Sequence, residues 1–180
     1  QSDNLYGFGV EGLDFGLLMT KVGGKSYTSF RADADTAALY GFDPDTFELS
    51  FDEISIQLNM ASADGPTIDY IASFGEDGLA LGSNGDIVLD YTGSKIGVYA
   101  GNATLVVGDF AYFTGALAFE HASYGNTLRN GPLPVNIVPN AKGFSIGGDD
   151  ITAFVGYADG GIDRTKTLAE QAGSLYGLGA

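Results

Sequence analysis

Apolar and polar residues alternate with a period of two along most of this chain, the signature of half-buried β-strands. Between Thr46 and Phe51, Phe47, Leu49 and Phe51 share one face while Glu48 and Ser50 take the other. Between Glu53 and Met60, Ile54, Ile56, Leu58 and Met60 share a face, with Ser55, Gln57 and Asn59 opposite. The apolar parity therefore switches from odd to even across Asp52-Glu53. A straight strand cannot do this without turning one apolar set into water. A bulge, or a corner between two strands, is expected at that point.

The same alternation predicts a strand over Thr67–Phe74, with Ile68, Tyr70, Ala72 and Phe74 together, and another at Ile87, Leu89 and Tyr91. Lys95–Ala100, Asn102–Gly108 and Phe110–Glu120 read as three more, separated by Gly101 and Gly108-Asp109. The last carries Phe110, Tyr112 and Thr114 on one face and Phe113, Leu117 and Phe119 on the other. Apolar residues on both faces imply cover on both, as within a larger assembly. Gly23-Gly24, Asp64-Gly65-Pro66, Asn84-Gly85, Asn130-Gly131-Pro132 and Asp159-Gly160-Gly161 are turn signals. Asn84-Gly85 fits a two-residue hairpin. Residues 122–139 hold three of the five prolines and read as a long loop; Thr165–Ala172 reads as a short helix. Residues 1–180 thus form a single all-β domain or repeat unit of roughly ten short strands: a sandwich, a barrel or a solenoid-like unit.

The two ends of the chain are alike. Leu5-Tyr6-Gly7-Phe8-Gly9-Val10 is echoed by Leu175-Tyr176-Gly177-Leu178-Gly179-Ala180, and Leu39-Tyr40-Gly41-Phe42 repeats the leading triplet inside. A unit built to stack on, or pair with, a copy of itself accounts for such an echo. Leu5, Tyr6, Phe8, Val10, Leu175, Tyr176 and Leu178 are the expected assembly contact, with Tyr6, Tyr40 and Tyr176 meeting between units.

Asp and Glu number 23 against 8 Lys and Arg, a net charge of −15. Such a chain repels nucleic-acid phosphates and anionic membranes, which excludes both as partners. No apolar run is long enough to span a membrane as a helix. The absence of cysteine removes disulfides and thiolate metal sites. No leader is read at the start, so the chain is expected to be a mature form or an excised segment.

Candidate chemistry is sparse. His121 is the only histidine, so a transition-metal site has no second imidazole or thiolate to use. Glu48, Asp52, Glu53, Asp69 and Asp90 could supply a glycosidase pair, yet they sit on polar strand faces that solvent explains equally well. Gly7-Phe8-Gly9-Val10-Glu11-Gly12 has the spacing of a dinucleotide fingerprint but no helix pattern after it. Asp33 with Asp35, Asp43 with Asp45, and Asp149 with Asp150 place carboxylates close together in turn-like contexts, the kind of oxygen set calcium takes. None forms a known calcium loop, and plain solvated turns account for them as well.

Gly12-Leu13-Asp14-Phe15-Gly16-Leu17-Leu18-Met19-Thr20 resembles the opening of the repeat unit of very large tandem-repeat exported proteins of bacteria. Gly108-Asp109-Phe110, Gly115-Ala116-Leu117-Ala118-Phe119-Glu120 and Ala153-Phe154-Val155-Gly156 continue the likeness in order over most of the chain. Such units often carry a tryptophan after the opening strand, where this chain has Tyr27. The resemblance implies a β-rich, extracellular or cell-surface, structural or adhesive role and brings no catalytic residue with it. The expected function is a non-catalytic structural subunit that joins copies of itself head to tail into a fibre, sheath or surface layer. The alternative is a calcium- or carbohydrate-binding module of an adhesin.

Overall fold

The computed structural model describes residues 5–62, 65–125, 129–130, 136–137 and 141–180. Twelve strands occur in these: β1 Gly7–Glu11, β2 Asp14–Val22, β3 Lys25–Tyr40, β4 Phe47–Ala61, β5 Leu79–Leu81, β6 Ile87–Leu89, β7 Lys95–Val107, β8 Ala111–Gly125, β9 Arg129–Asn130, β10 Asn136–Ile137, β11 Ala141–Ala158 and β12 Leu175–Gly179. Eight form one antiparallel sheet in the order β1-β3-β4-β7-β8-β11-β12. The eighth, β2, lies on the same side of β3 as β1: β1 pairs Thr36–Tyr40 and β2 pairs Lys25–Asp33. The sheet does not close into a barrel, so β1–β2 stands at one edge and β12 at the other.

Glycine sets the tightest turn. Gly23 and Gly24, both at positive φ (57° and 83°), join β2 to β3 in two residues, the primed turn that matches strand twist. The Asn84-Gly85 hairpin joins β5 to β6, with five residues in its loop, Gly82–Asp86, instead of two.

The corner expected at Asp52-Glu53 is present, with Glu53 in the left-handed region at φ 53°. It is one point on a seam that crosses the whole sheet. Gly12 (φ 63°) separates β1 from β2, and the register of β3 with β4 skips Asp35 and Glu53. The register of β7 with β8 shifts between Ala100 and Ala103, and that of β8 with β11 between Asp149 and Thr152, where Asp150 has φ 51°. Bulges bend strands, so the sheet is creased along this line. Acidic side chains fold over glycines there: a Cβ on Gly12 would overlap the Asp35 carboxylate, and one on Gly101 would come within 2.6 Å of Glu53 Oε2.

Parity switches at the seam in β3, β4, β7 and β11 and between β1 and β2, while β8 keeps its parity, so each face keeps its character across it. One face carries Phe8, Val10, Phe15, Leu17, Phe30, Phe51, Ile56, Val98, Phe119 and Ile146, placed together by the register of neighbouring strands. This apolar face is open: Met19, Ile146 and Leu178 are 70%, 72% and 83% exposed.

The core lies on the opposite face. The connection from β4 to β7 folds back over it, burying Tyr70, Leu89 and Tyr91 against Leu18, Ile68, Leu79 and Leu81. Asn59 pins this cover: it accepts from Ser29 Oγ (2.8 Å) and donates to the carbonyls of Ile68 (2.8 Å) and Gly93 (2.7 Å). A second cover, residues 159–174, ties down through Arg164, which bonds Glu48 and donates to the Pro44 carbonyl at 2.7 Å.

Four expectations need correction. Thr67–Phe74 is no strand: Tyr70–Phe74 is helix α1, N-capped by Asp69, whose carboxylate accepts from the Ala72 amide at 2.8 Å. Tyr70 and Phe74 share a face under either period, and their rings lie 6.1 Å apart, so alternation could not separate helix from strand. Thr165–Ala172 holds only a 3-10 turn, Ala169–Gln171, because Asp163, Thr167 and Glu170 spend their side chains on local turns. The loop expected at 122–139 begins later, since β8 pairs with β7 and β11 as far as Ala122 and beyond. Residues 126–128, 131–135 and 138–139 of that loop lie outside the described residues, and between them β9 and β10 pair. Asn102–Gly108 and Lys95–Ala100 form one bent strand, β7, rather than two.

Candidate assembly interface

The echoed strings occupy the two edges of one sheet. Leu5, Tyr6, Phe8 and Val10 belong to β1 and its approach, and Leu175, Tyr176 and Leu178 to β12. Phe8 lies opposite Leu39 and Leu178 opposite Val155, both on the apolar face. All of these but the half-buried Leu175 are exposed. The third string ends inside the sheet: Tyr40 pairs with Gly7 and donates to Glu11 at 3.2 Å within the chain.

Antiparallel neighbours bond through alternate residues, each of which aims both its N–H and its C=O to one side. Ala153 and Ala180 exchange both bonds at 2.8 Å. By alternation Tyr176, Leu178 and Ala180 turn their amide groups toward β11, and Gly177 and Gly179 turn theirs outward. On the other edge, the Gly108 amide donates to the Thr46 carbonyl at 2.8 Å. This sets Thr46, Glu48 and Ser50 toward β7, and Phe47, Leu49 and Phe51 toward β3. Ala37, opposite Phe51, then faces β4, whereas Ala38 and Tyr40 face β1, where Gly9 and Gly7 lie. Phe8 and Val10 point their amide groups outward. The two copies of the string therefore use opposite rows of hydrogen-bonding groups: the row that β12 spends on β11 is the row that β1 leaves free.

The edge of β11 is half covered. β12 takes Phe154–Ala158, while Ala141–Asp149 has no partner on that side among the described residues. An open edge of this kind is a template for another strand.

The remaining candidates do not converge. Asp33 pairs with Arg31 at 2.8 Å, Asp35 lies over Gly12, Asp43 accepts from the Asp45 amide at 3.0 Å, and Asp149 from the Asp150 amide at 3.1 Å. They occupy three separate places, and no group of three His, Asp or Glu side chains able to hold a metal occurs among the described residues. Among the carboxylates considered for glycoside chemistry, Glu48 pairs with Arg164, Asp52 accepts from Asn102 at 3.4 Å, and Asp69 caps α1. His121 stands exposed on the apolar face, opposite Ile96 and Phe144. Gly7–Gly12 is an edge strand and its bend, not a strand-to-helix turn. Glu120 is a polar cluster that the sequence did not suggest: Tyr99 donates to it, and Lys95 lies 3.2 Å away. The Tyr99 hydrogen bond, with Lys95 assisting, holds its carboxyl below the usual range.

These features define an all-β protein built on one open, creased antiparallel sheet with one bare apolar face. No helix among the described residues is long and apolar enough to cross a membrane. No protein-family model, curated protein or solved structure matches the chain.

Proposed function

We propose that the protein is a non-catalytic structural subunit whose copies join head to tail, edge to edge, into an extracellular fibre, sheath or surface layer. The observation that carries this reading is the position of the echoed strings: they form the opposite edges of one sheet, run in the same direction and turn their side chains to the same face. A contact between unlike edges generates an open filament when its rotation does not close. The open apolar face supports the reading as well, since large exposed apolar surfaces mark sites of association. So does the resemblance of Gly12–Thr20 to the repeat unit of exported tandem-repeat proteins.

Electron microscopy of the protein at neutral pH with calcium present tests it. Regular filaments or sheets are expected, and deletion of residues 1–10 is expected to abolish them while leaving the circular dichroism of the fold unchanged. Dispersed particles from the intact chain, or an unaltered polymer after the deletion, overturn the reading.

A further inference from the structure

We infer that β12 is a placeholder: the strand that completes β11 in an assembly is β1–β2 of a second copy of this chain, which displaces β12. The inference rests on the head-to-tail reading and specifies its contact.

Three observations carry it. The first is the pair of complementary hydrogen-bonding rows. Phe8 and Val10 leave free the groups with which their counterparts Leu178 and Ala180 hold β11, while Gly7 and Gly9 remain engaged with β3. One strand can thus serve β11 of one copy and β3 of the next at once. The second is length. β12 is five residues long, whereas the edge of β11 runs 18. β2 has nine residues, the length of the uncovered part of β11 that precedes its bulge, Ala141–Asp149.

The third is register. Placing Val10 where Ala180 sits, opposite Ala153, sets Gly12-Leu13 opposite 150–151 and Asp14–Val22 opposite 149–141, with no residue inserted or removed. The break between β1 and β2 then falls on the bulge of β11, where Asp150 is left-handed. Phe15, Leu17 and Met19 fall opposite Gly148, Ile146 and Phe144, all on the apolar face, so the switch of parity on each strand coincides. Strand addition of this type takes its affinity from main-chain hydrogen bonds and its register from such alternating side chains. The same register sets Asp14 against Asp149 and Lys21 against Lys142. Like charges directly opposite oppose pairing, which makes the junction sensitive to salt.

The contact differs from one in which β12 stays in place and receives β1 on its outer edge. In that case Val10 meets the β12 string and never reaches Ala153. The chain has no cysteine, so paired single substitutions report the neighbour directly. Val10→Cys protein is mixed with Ala153→Cys protein, and separately with Leu178→Cys protein, under mild oxidation. Opposed residues of a bonded antiparallel pair lie about 5.5 Å apart at Cα, within disulfide reach. A mixed disulfide dimer with Ala153→Cys and none with Leu178→Cys is expected, and the reverse overturns the inference while leaving head-to-tail assembly standing. A chain ending at Ser174 provides the second measurement. With β12 gone, it is expected to polymerise at a concentration no higher than the intact chain requires. Polymer from the intact chain and none from the folded, shortened chain overturns the inference. No polymer and no cross-link from any of these proteins overturns the head-to-tail reading itself.

Discussion

Asn59 is the residue on which most of the molecule's internal order turns. It is fully buried and satisfies Ser29 and two carbonyls from the connection that covers the sheet. Replacing it by Leu leaves a hydroxyl and two carbonyls unpaired in the interior. Asn59→Leu is therefore expected to lower stability by about 2–4 kcal/mol, measured by urea unfolding. Tyr70 presents the opposite case. Its ring is fully buried, but its hydroxyl has no hydrogen-bond partner among the described residues. Removing an unpaired buried hydroxyl relieves a desolvation cost, so Tyr70→Phe is expected to be neutral or to raise stability by up to about 1 kcal/mol in the same assay. The two substitutions affect one core in opposite directions because one polar group is satisfied and the other is not. Glu53 adds a backbone case: at φ 53°, Glu53→Ile forces a β-branched residue into a left-handed conformation and is expected to cost about 1–2 kcal/mol.

At the scale of elements, the turn around Asp163–Gln171 is held by carboxylates. The Lys166 ammonium, with the Thr165 hydroxyl and amide, brings the Asp163 carboxyl down to about 2. The Thr167 amide and hydroxyl likewise lower Glu170, which closes a capping box with Thr167. Folded values below the unfolded ones mean that these groups support the turn above about pH 4 and lose that support as pH falls through the folded values. Amide chemical shifts of Thr165 and Thr167 are expected to move between about pH 4 and pH 2, and Asp163→Asn to remove the Thr165 part of that change.

The same scale shows what the sequence could tell and what it could not. The parity switch at Asp52-Glu53 located the crease in β4 because large residues, Phe51 and Ile54, flank it. The matching bends are flanked by Ala34 and Ala37 in β3, by Ala100 and Ala103 in β7, and by Gly148 and Ala153 in β11. Small residues look alike on either face and leave no alternation to break. The echo pointed to the edge strings, but not to their neighbours. β11 opens with Gly143, Gly147 and Gly148 among its residues, a composition that does not read as a strand, and it is the element whose edge at Ala141–Asp149, unpaired among the described residues, carries the proposed junction. Which row of amide groups a strand spends is a property of pairing, and no side-chain pattern encodes it.

At the scale of the whole molecule, 23 acidic residues against 8 basic ones set copies against one another at neutral pH. Repulsion between like-charged subunits is screened by salt and weakened by protonating carboxylates. Light scattering is expected to show joining at progressively lower protein concentration as ionic strength rises from about 0.01 M to about 0.15 M, and as pH approaches the sequence pI of about 4.1. Scattering that is indifferent to both would mean that charge does not govern the junction.

The crease has a mechanical meaning. It runs across the sheet from Gly12 through Glu53 to Asp150 in β11, and in the proposed register it would meet itself at each junction. In a ribbon joined in that way it would lie parallel to the long axis. A flat strip bends easily out of its plane, whereas a strip folded along its length has depth, like an angle girder, and its bending rigidity grows steeply with that depth. In such a ribbon the left-handed backbone at Glu53 and Asp150 would set a local strain in each subunit against stiffness over many subunits, and the quantity that reads it out is the ribbon's persistence length.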